Sequence, residues 1–343
     1  MKRALQERIH AAGGSLWQLV EGDGFLLHVD LDEGDEPSLA ESVARTLTAQ
    51  PRWLHFRWLY DAAGSQIYER ITEQPEYYPT RAEDGILAAN AATLRDLAGD
   101  VSLVELGSGS SVKTRRLLDA WSARGPTCYL PIDISRSAIE QACGELAHAY
   151  PGATIEGLAA RYARALPLVN EVAPLLLLFL GSSIGNFDDQ ELDAFLALAS
   201  RSLQPGDRFL LGIDLVKDKD VLDAAYNDAA GWTERFMLNL LVRLNRELGT
   251  DVPLDAVRYE GGYDEERERV EMYLRFLRDV TVAGEGLPQP IDIAAGEAVL
   301  VEISRKFRID GVAARLRDYG LELQDTFTDA DGFFAVLLLT RTV

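Results

Sequence analysis

Apolar and polar positions divide the chain into stretches with different periodicities. From Val101 to Val216, short apolar runs alternate with longer amphipathic segments. Val101–Leu106, Cys128–Asp133, Thr154–Leu158, Leu175–Leu180 and Arg208–Val216 read as strands. Lys113–Trp121, Ser135–Tyr150 and Asp188–Leu203 between them read as helices. Ser135 is placed to cap the second of these helices, and Pro205-Gly206-Asp207 reads as a turn before the fifth strand. Strands apolar enough to be covered on both faces, alternating with helices, predict a doubly wound parallel sheet.

Outside this region the alternation stops. The first 50 or so residues mix short apolar stretches such as Phe25-Leu26-Leu27 with an acidic, Gly/Pro-containing segment from Asp30 to Pro37, and predict a peripheral layer. Trp53–Arg81 is dense in aromatic residues, and Pro75 and Pro79 near its end predict an ordered loop before a helix over Ala82–Leu97. Lys219–Leu248 carries one long amphipathic helical pattern, and Val257–Val282 reads as two strands around Gly261-Gly262. After Ser304 a helix (Ile309–Tyr319) and strands around Leu321–Phe327 and Phe333–Thr340 return to the sheet. The expectation is one Rossmann-like domain interrupted by an insertion that packs with the N-terminal layer.

Composition narrows the function classes. The 343 residues carry a formal net charge of −21 and no Lys/Arg cluster, which argues against nucleic acid or an anionic membrane as partner. The two cysteines, Cys128 and Cys143, suggest neither a zinc site nor a redox pair, and fit a reducing cytoplasm. The N-terminal Met1–Gly14 stretch has scattered charges and no apolar core of a signal peptide. The longest apolar run, Val172–Leu180, falls far short of the ~20 residues of a membrane helix. A cytoplasmic monomer acting on a small molecule, with no metal, is expected.

Candidate chemistry begins at Gly107-Ser108-Gly109-Ser110-Ser111, directly after the first central strand. Glycines there let backbone N–H groups approach a ligand at a helix N-terminus. A dinucleotide fingerprint requires a third small residue three positions after the second glycine, but Val112 and Lys113 close this loop instead. Asp133, ending the second strand, is suited to a ribose diol, and Glu105 inside the first strand is unusual for a nicotinamide site. S-adenosylmethionine has no phosphates and needs glycine backbone for its methionine part and an acid for its ribose. A methyltransferase is therefore favoured over a nicotinamide oxidoreductase.

Four motifs then carry a resemblance: Tyr60-Asp61-Ala62-Ala63-Gly64-Ser65, Pro75-Glu76-Tyr77-Tyr78-Pro79-Thr80-Arg81, Glu105 through Thr114, and Gly181-Ser182-Ser183-Ile184-Gly185-Asn186-Phe187. In this order and spacing the sequence resembles the histidine Nα-methyltransferase family of ergothioneine biosynthesis, whose members trimethylate histidine to hercynine. The likeness runs from about Trp58 to the C-terminus. It implies an α/β fold, a Rossmann-like class I methyltransferase sheet with an additional smaller α+β substrate domain. Residues 81–218 and 306–343 would form the S-adenosylmethionine-binding domain, and 1–80 and 219–305 the accessory substrate-binding domain.

The resemblance also implies site residues. Cofactor binding falls to Gly107, Lys113 and Asp133, with Gly109 in the same loop, and to the pair Arg161-Tyr162. The family often has Asp-Phe at that pair; the side chain of Arg161 cannot accept a bond from an adenine amino group, which leaves its backbone. The amino-acid substrate is gripped around its amine and carboxylate by positions corresponding to Tyr77, Gly181, Asn186 and Tyr226, with Tyr77 and Gly181 orienting the amine for catalysis. Its side chain is read by Met272, Glu302 and Ser304. A carboxylate beside a hydroxyl suits imidazole, which offers an N–H and a lone pair. Relatives of the family methylate other amino acids such as tryptophan, and a non-catalytic S-adenosylmethionine-binding regulator is the alternative of another class.

Overall fold

A computed structural model of the protein describes Leu5, Glu7, Ile9 and residues 16–32 and 37–342. Most of the Met1–Gly14 stretch and of the acidic segment between Asp30 and Pro37 lies outside the described residues. Two strands, β1 (Trp17–Glu21) and β2 (Phe25–Asp30), form an antiparallel pair. Helix α1 (Leu39–Leu47) starts at a capping box, in which Ser38 and Glu41 each accept from the other's backbone N–H. Asp61 caps α2 (Ala62–Thr72) by accepting from Gly64 N. Helix α3 (Tyr78–Ala98) begins earlier than the expected Ala82. Pro79 sits in its first turn, where a missing N–H leaves no helical bond unmade.

The alternating region follows: β3 (Ser102–Leu106), α4 (Arg115–Ser122), β4 (Cys128–Asp133), α5 (Arg136–Ala149), β5 (Thr154–Ala159), the short α6 (Tyr162–Ala165), β6 (Leu175–Phe179), α7 (Asp189–Ser202) and β7 (Arg208–Asp214). Ser135 caps α5 as expected, and Asp188 forms a capping box with Glu191 at α7. Next come α8 (Lys219–Ala225), α9 (Trp232–Leu248), β8 (Val257–Asp264), β9 (Arg269–Phe276), β10 (Val280–Val282), β11 (Ile291–Ile293) and β12 (Ala298–Arg305). Helix α10 (Ile309–Arg317), β13 (Leu321–Thr328) and β14 (Phe334–Arg341) complete the chain.

These elements form two compact units. The first takes the described residues of Met1–Glu33, Pro79–Leu215 and Phe307–Val343. Its nine-stranded sheet has the order β1-β2-β5-β4-β3-β6-β7-β14-β13. Strands from β2 through β7 run parallel, and β1, β14 and β13 are antiparallel to their neighbours. All five residues of β6 are buried, because helices cover both faces of a parallel sheet. Burying each of those leucines contributes roughly 1.5–3 kcal/mol. The chain runs outward from β3 to β5 and then crosses back to β6 on the other side of β3, which makes the carboxyl ends of β3 and β6 a topological switch point.

The expectation that residues 1–80 join the accessory domain needs correction. Strands β1 and β2 extend the large sheet, with β2 pairing in parallel to β5. Leu27 and Val29 enter the same apolar cluster as Ile139 and Leu146 of α5. A six-residue strand set apart in sequence from the alternating region carries too little pattern to reveal that partner.

The second unit takes the described residues of Gly34–Tyr78 and Val216–Lys306. It holds a three-stranded antiparallel sheet of order β12-β9-β8 and the pair β10–β11, with a core that includes Val43 of α1, Ile71 of α2 and Leu240 and Leu244 of α9. Two local expectations change here. The Lys219–Leu248 pattern is two helices, not one, broken where Asp228 accepts from the backbone N–H groups of Trp232 and Thr233 and Gly231 adopts φ +70°. Gly261-Gly262 lies inside β8, and the turn falls instead before Arg269, with Glu268 at φ +48°.

Candidate active site

In the first unit the switch point carries the glycine loop. Gly107 (φ +65°), Gly109 (φ +49°) and Ser111 (φ +52°) bend the chain sharply as it leaves β3. Gly107 N and Ser108 N donate to the carbonyl of Ile132 at 2.8 and 3.2 Å. Gly109 N donates to Asp133 Oδ2 at 2.9 Å, and Ser135 N donates to Asp133 Oδ1 at 2.8 Å. Asp133 thus fastens the loop to the end of β4, and a carboxylate has about four acceptor positions, so further donors can be met. Burial raises its pKa, against those backbone N–H groups.

Gly107 is fixed by a close approach as well as by its φ. A Cβ there would meet the Tyr162 hydroxyl at 2.7 Å. Tyr162 is held in turn against Phe179 and Phe195, at ring distances of 5.8 and 6.1 Å. Arg161 precedes it as the residue that starts α6.

Beneath the loop lies Glu105, 4% exposed. Thr114 Oγ1 donates to its Oε1 at 2.6 Å, and the Tyr129 hydroxyl donates to its Oε2. Ser111 Oγ lies 2.9 Å from the same Tyr129 hydroxyl. Burial pushes the Glu105 carboxyl up to about 7, against these two hydrogen bonds. Glu105 therefore braces the loop from inside.

Glu83 of α3, fully buried, is the neighbouring anchor. Its carboxylate pairs with the Lys113 ammonium and accepts from Gly181 N at 2.8 and 2.9 Å. A Cβ at Gly212 would lie 2.0 Å from Glu83 Oε1, so β7 needs glycine at that point. One carboxylate thus ties the end of the glycine loop to the turn after β6, where Gly181 (φ +74°) and Ser182 (φ +55°) reverse the chain. Asn186 ends the following short turn, Ser183–Asn186, and is half-buried.

The second unit gathers the remaining candidates. Tyr77, 7% exposed, lies with its hydroxyl 3.4 Å from that of Tyr68 and its ring 6.1 Å from Tyr226, edge-on. Burial raises the Tyr77 pKa well above the usual phenol value. Met272 is directly opposite Glu302 on β12 and Gly261 on β8. A register shift between Leu300 and Glu302 precedes that pair, and Glu302 and Ser304 then share a face. The Tyr226 hydroxyl lies 2.7 Å from Ser304 Oγ, and Lys306 Nζ donates to both, at 2.8 Å each. Tyr259 crosses Gly261, where a Cβ would meet its hydroxyl at 2.1 Å, and donates to the Tyr226 carbonyl at 2.8 Å.

The structure thus brings Gly107, Gly109, Lys113, Asp133, Tyr162 and Gly181 to the switch-point end of one sheet. It gathers Tyr77, Tyr226, Met272, Glu302 and Ser304 within the second unit. Sequence reasoning missed Glu83, Tyr129, Tyr259 and Lys306. Gly212 and Gly261, glycines inside strands, are the signals that a side chain crosses them. The Tyr60–Ser65 motif is a helix start: Asp61 also accepts from Asn239 and Arg246, and a Cβ at Gly64 would meet the Leu59 carbonyl at 1.8 Å.

A parallel sheet with a glycine loop at its switch point and an acid on the adjacent strand end fits a class I S-adenosylmethionine-dependent methyltransferase. The family described as histidine-specific, S-adenosylmethionine-dependent methyltransferases matches residues 39–341, and the chain belongs to it. It is 41% identical over 305 residues to the histidine N-alpha-methyltransferase of Mycolicibacterium smegmatis, covering 89% of this chain and 95% of that one. It is 33% identical to ergothioneine biosynthesis protein 1 of Neurospora crassa, over 68% of this chain and 28% of that much longer one. It is 28% identical to the L-tryptophan methyltransferase of Psilocybe serbica, over 89% of this chain and 94% of that one.

Proposed function

We propose that the protein transfers methyl groups from S-adenosylmethionine to the α-amino group of free L-histidine, giving trimethylhistidine (hercynine) as the first step of ergothioneine biosynthesis. The observation that carries the substrate is Glu302 beside Ser304 on one strand face, with Met272 opposite Glu302. Such a pair offers an acceptor and a hydroxyl to the two nitrogens of imidazole. An indole has no second ring nitrogen, and groups left unpaired in a polar pocket discriminate by up to about 10⁴–10⁵.

The first unit's residues fit the methyl donor. Positive-φ glycines open the backbone at the end of β3, and nothing stands within 4 Å of a Cβ built at Gly109. Asp133 takes the ribose diol with its remaining acceptor positions, and the loop backbone with Lys113 takes the methionine part. Arg161 and Tyr162 flank the adenine end. Bound S-adenosylmethionine supplies a methyl group on a sulfonium, a good leaving group. Catalysis then rests on alignment, which fixed groups provide at no entropic cost during reaction.

The α-amine must be neutral to attack. Tyr77 and the Gly181 carbonyl are assigned to orient it and Asn186 to hold the carboxylate, while Tyr226 backs Ser304 through its hydroxyl. Because burial raises the Tyr77 pKa, it remains a neutral phenol and orients the amine without removing its proton. That proton leaves to solvent. The test is methyl transfer from labelled S-adenosylmethionine to each of the twenty amino acids. Histidine is the expected acceptor; turnover of tryptophan instead would overturn the substrate, and cofactor binding without any acceptor would favour a regulator.

A further inference from the structure

We propose that Lys306 is a specificity-determining positioning residue. Its ammonium directs the Ser304 hydroxyl so that Ser304 donates to one ring nitrogen of a neutral imidazole while Glu302 accepts from the other. This inference rests on histidine as the substrate.

Lys306 is 3% exposed, and its Nζ, Ser304 Oγ and the Tyr226 hydroxyl form a closed triangle with sides of 2.7, 2.8 and 2.8 Å. The ammonium also lies 4.7 Å from the centre of the Tyr226 ring. An ammonium only donates, so within the triangle both hydroxyl oxygens accept from it. The remaining side uses one hydroxyl hydrogen. The phenol is the stronger acid of the two, so Tyr226 donates and Ser304 accepts. The serine oxygen then accepts twice, and its own hydrogen is turned out of the triangle.

The strand geometry says where that hydrogen is useful. Ser304 and Glu302 are two residues apart with no register shift between them, so both lie on the face that carries Met272 and Val270 opposite. A fixed donor beside a carboxylate acceptor complements a ring with one lone pair and one N–H. Imidazolium, with two N–H groups, would meet the Ser304 hydrogen head-on. Indole would leave it unmet. Lys306 therefore selects the neutral ring, although it need not touch the substrate.

Lys306→Gln tests this directly, because an amide can accept as well as donate and so lets Ser304 turn inward. The KM for histidine should rise about 10- to 100-fold, the range expected for a hydrogen bond supported by a charged group. The Kd for S-adenosylmethionine by calorimetry should stay within about twofold. In the wild type KM should climb below about pH 6.5 as imidazole protonates, and that climb should flatten in Lys306→Gln. Ser304→Ala, which leaves Lys306 in place, should flatten it too, and the double variant should be no worse than about threefold beyond Ser304→Ala.

An unchanged KM in Lys306→Gln, or fully additive losses in the double variant, would overturn the role of Lys306. If Lys306→Gln does not fold, a wild-type pH dependence retained by Ser304→Ala would overturn it equally. Wild-type enzyme inactive on histidine would instead refute the substrate, and this inference with it.

Discussion

Replacing Glu105 by glutamine should stabilise the protein at neutral and alkaline pH. Glu105 is a buried carboxyl whose pKa burial pushes up from 4.5 to about 7. The folded state therefore holds a proton that the unfolded state releases between those values, and stability falls as pH rises through this window. Below pH 4.5 the carboxyl is neutral in both states and the penalty vanishes; above pH 7 it is complete. At about 1.4 kcal/mol per pH unit the penalty reaches about 3–4 kcal/mol. Glutamine is neutral throughout, and its amide N–H can bond the Tyr129 oxygen while the phenol hydrogen turns to Ser111, 2.9 Å away. Urea unfolding of both proteins at pH 5, 6, 7 and 8 measures the difference. Glu105→Gln should match the wild type within about 1 kcal/mol at pH 5 and exceed it by roughly 2–4 kcal/mol at pH 8. A pH-independent difference, or a less stable variant at pH 8, would refute the reasoning.

Three further outcomes follow from the same contacts. Glu302→Ala should cut kcat/KM for histidine by about 10- to 100-fold with S-adenosylmethionine affinity unchanged by calorimetry; equal loss of both would contradict its role. Gly107→Ala brings a Cβ to 2.7 Å from the Tyr162 hydroxyl at φ +65°, and should weaken cofactor binding by about 1–3 kcal/mol. Adding Tyr162→Phe should recover part of that loss, and no recovery would remove the hydroxyl as its cause. Glu83→Ala strips the partner from Lys113 and Gly181 N, and should cost about 3 kcal/mol in chemical denaturation; unaltered stability would show that the pair holds nothing in place.

Much of the first unit was legible because its signals are local. Cys128–Asp133 is bounded as the apolar run suggested, and Ser135 and Asp188 cap the helices that follow them. A cap acts within four residues, so the sequence displays it. The break between α8 and α9 depends on Asp228 and Gly231, which interrupt an amphipathic pattern without disturbing its period. Strand β2 finds its parallel partner β5 more than a hundred residues away.

The site divides in the same way. Gly107, Gly109 and Asp133 stand out because loop and strand end carry their own signature. Glu83 acts on Lys113 and Gly181, 30 and 98 positions distant, and reads in sequence as an ordinary helix charge. Lys306 was more accessible. The alternation of β12 continued past Arg305 puts residues 302, 304 and 306 on one side, yet a lysine there suggests by default a solvated partner for Glu302. Its burial against Tyr226 and Ser304 comes from packing that no periodicity displays.

The most direct test of histidine Nα-methylation is mass spectrometry of the product formed from L-histidine and S-adenosylmethionine by the purified protein. Fragmentation should place three methyl groups on the α-nitrogen and none on the ring. Unmodified histidine, or methyl groups carried on the imidazole, would contradict it.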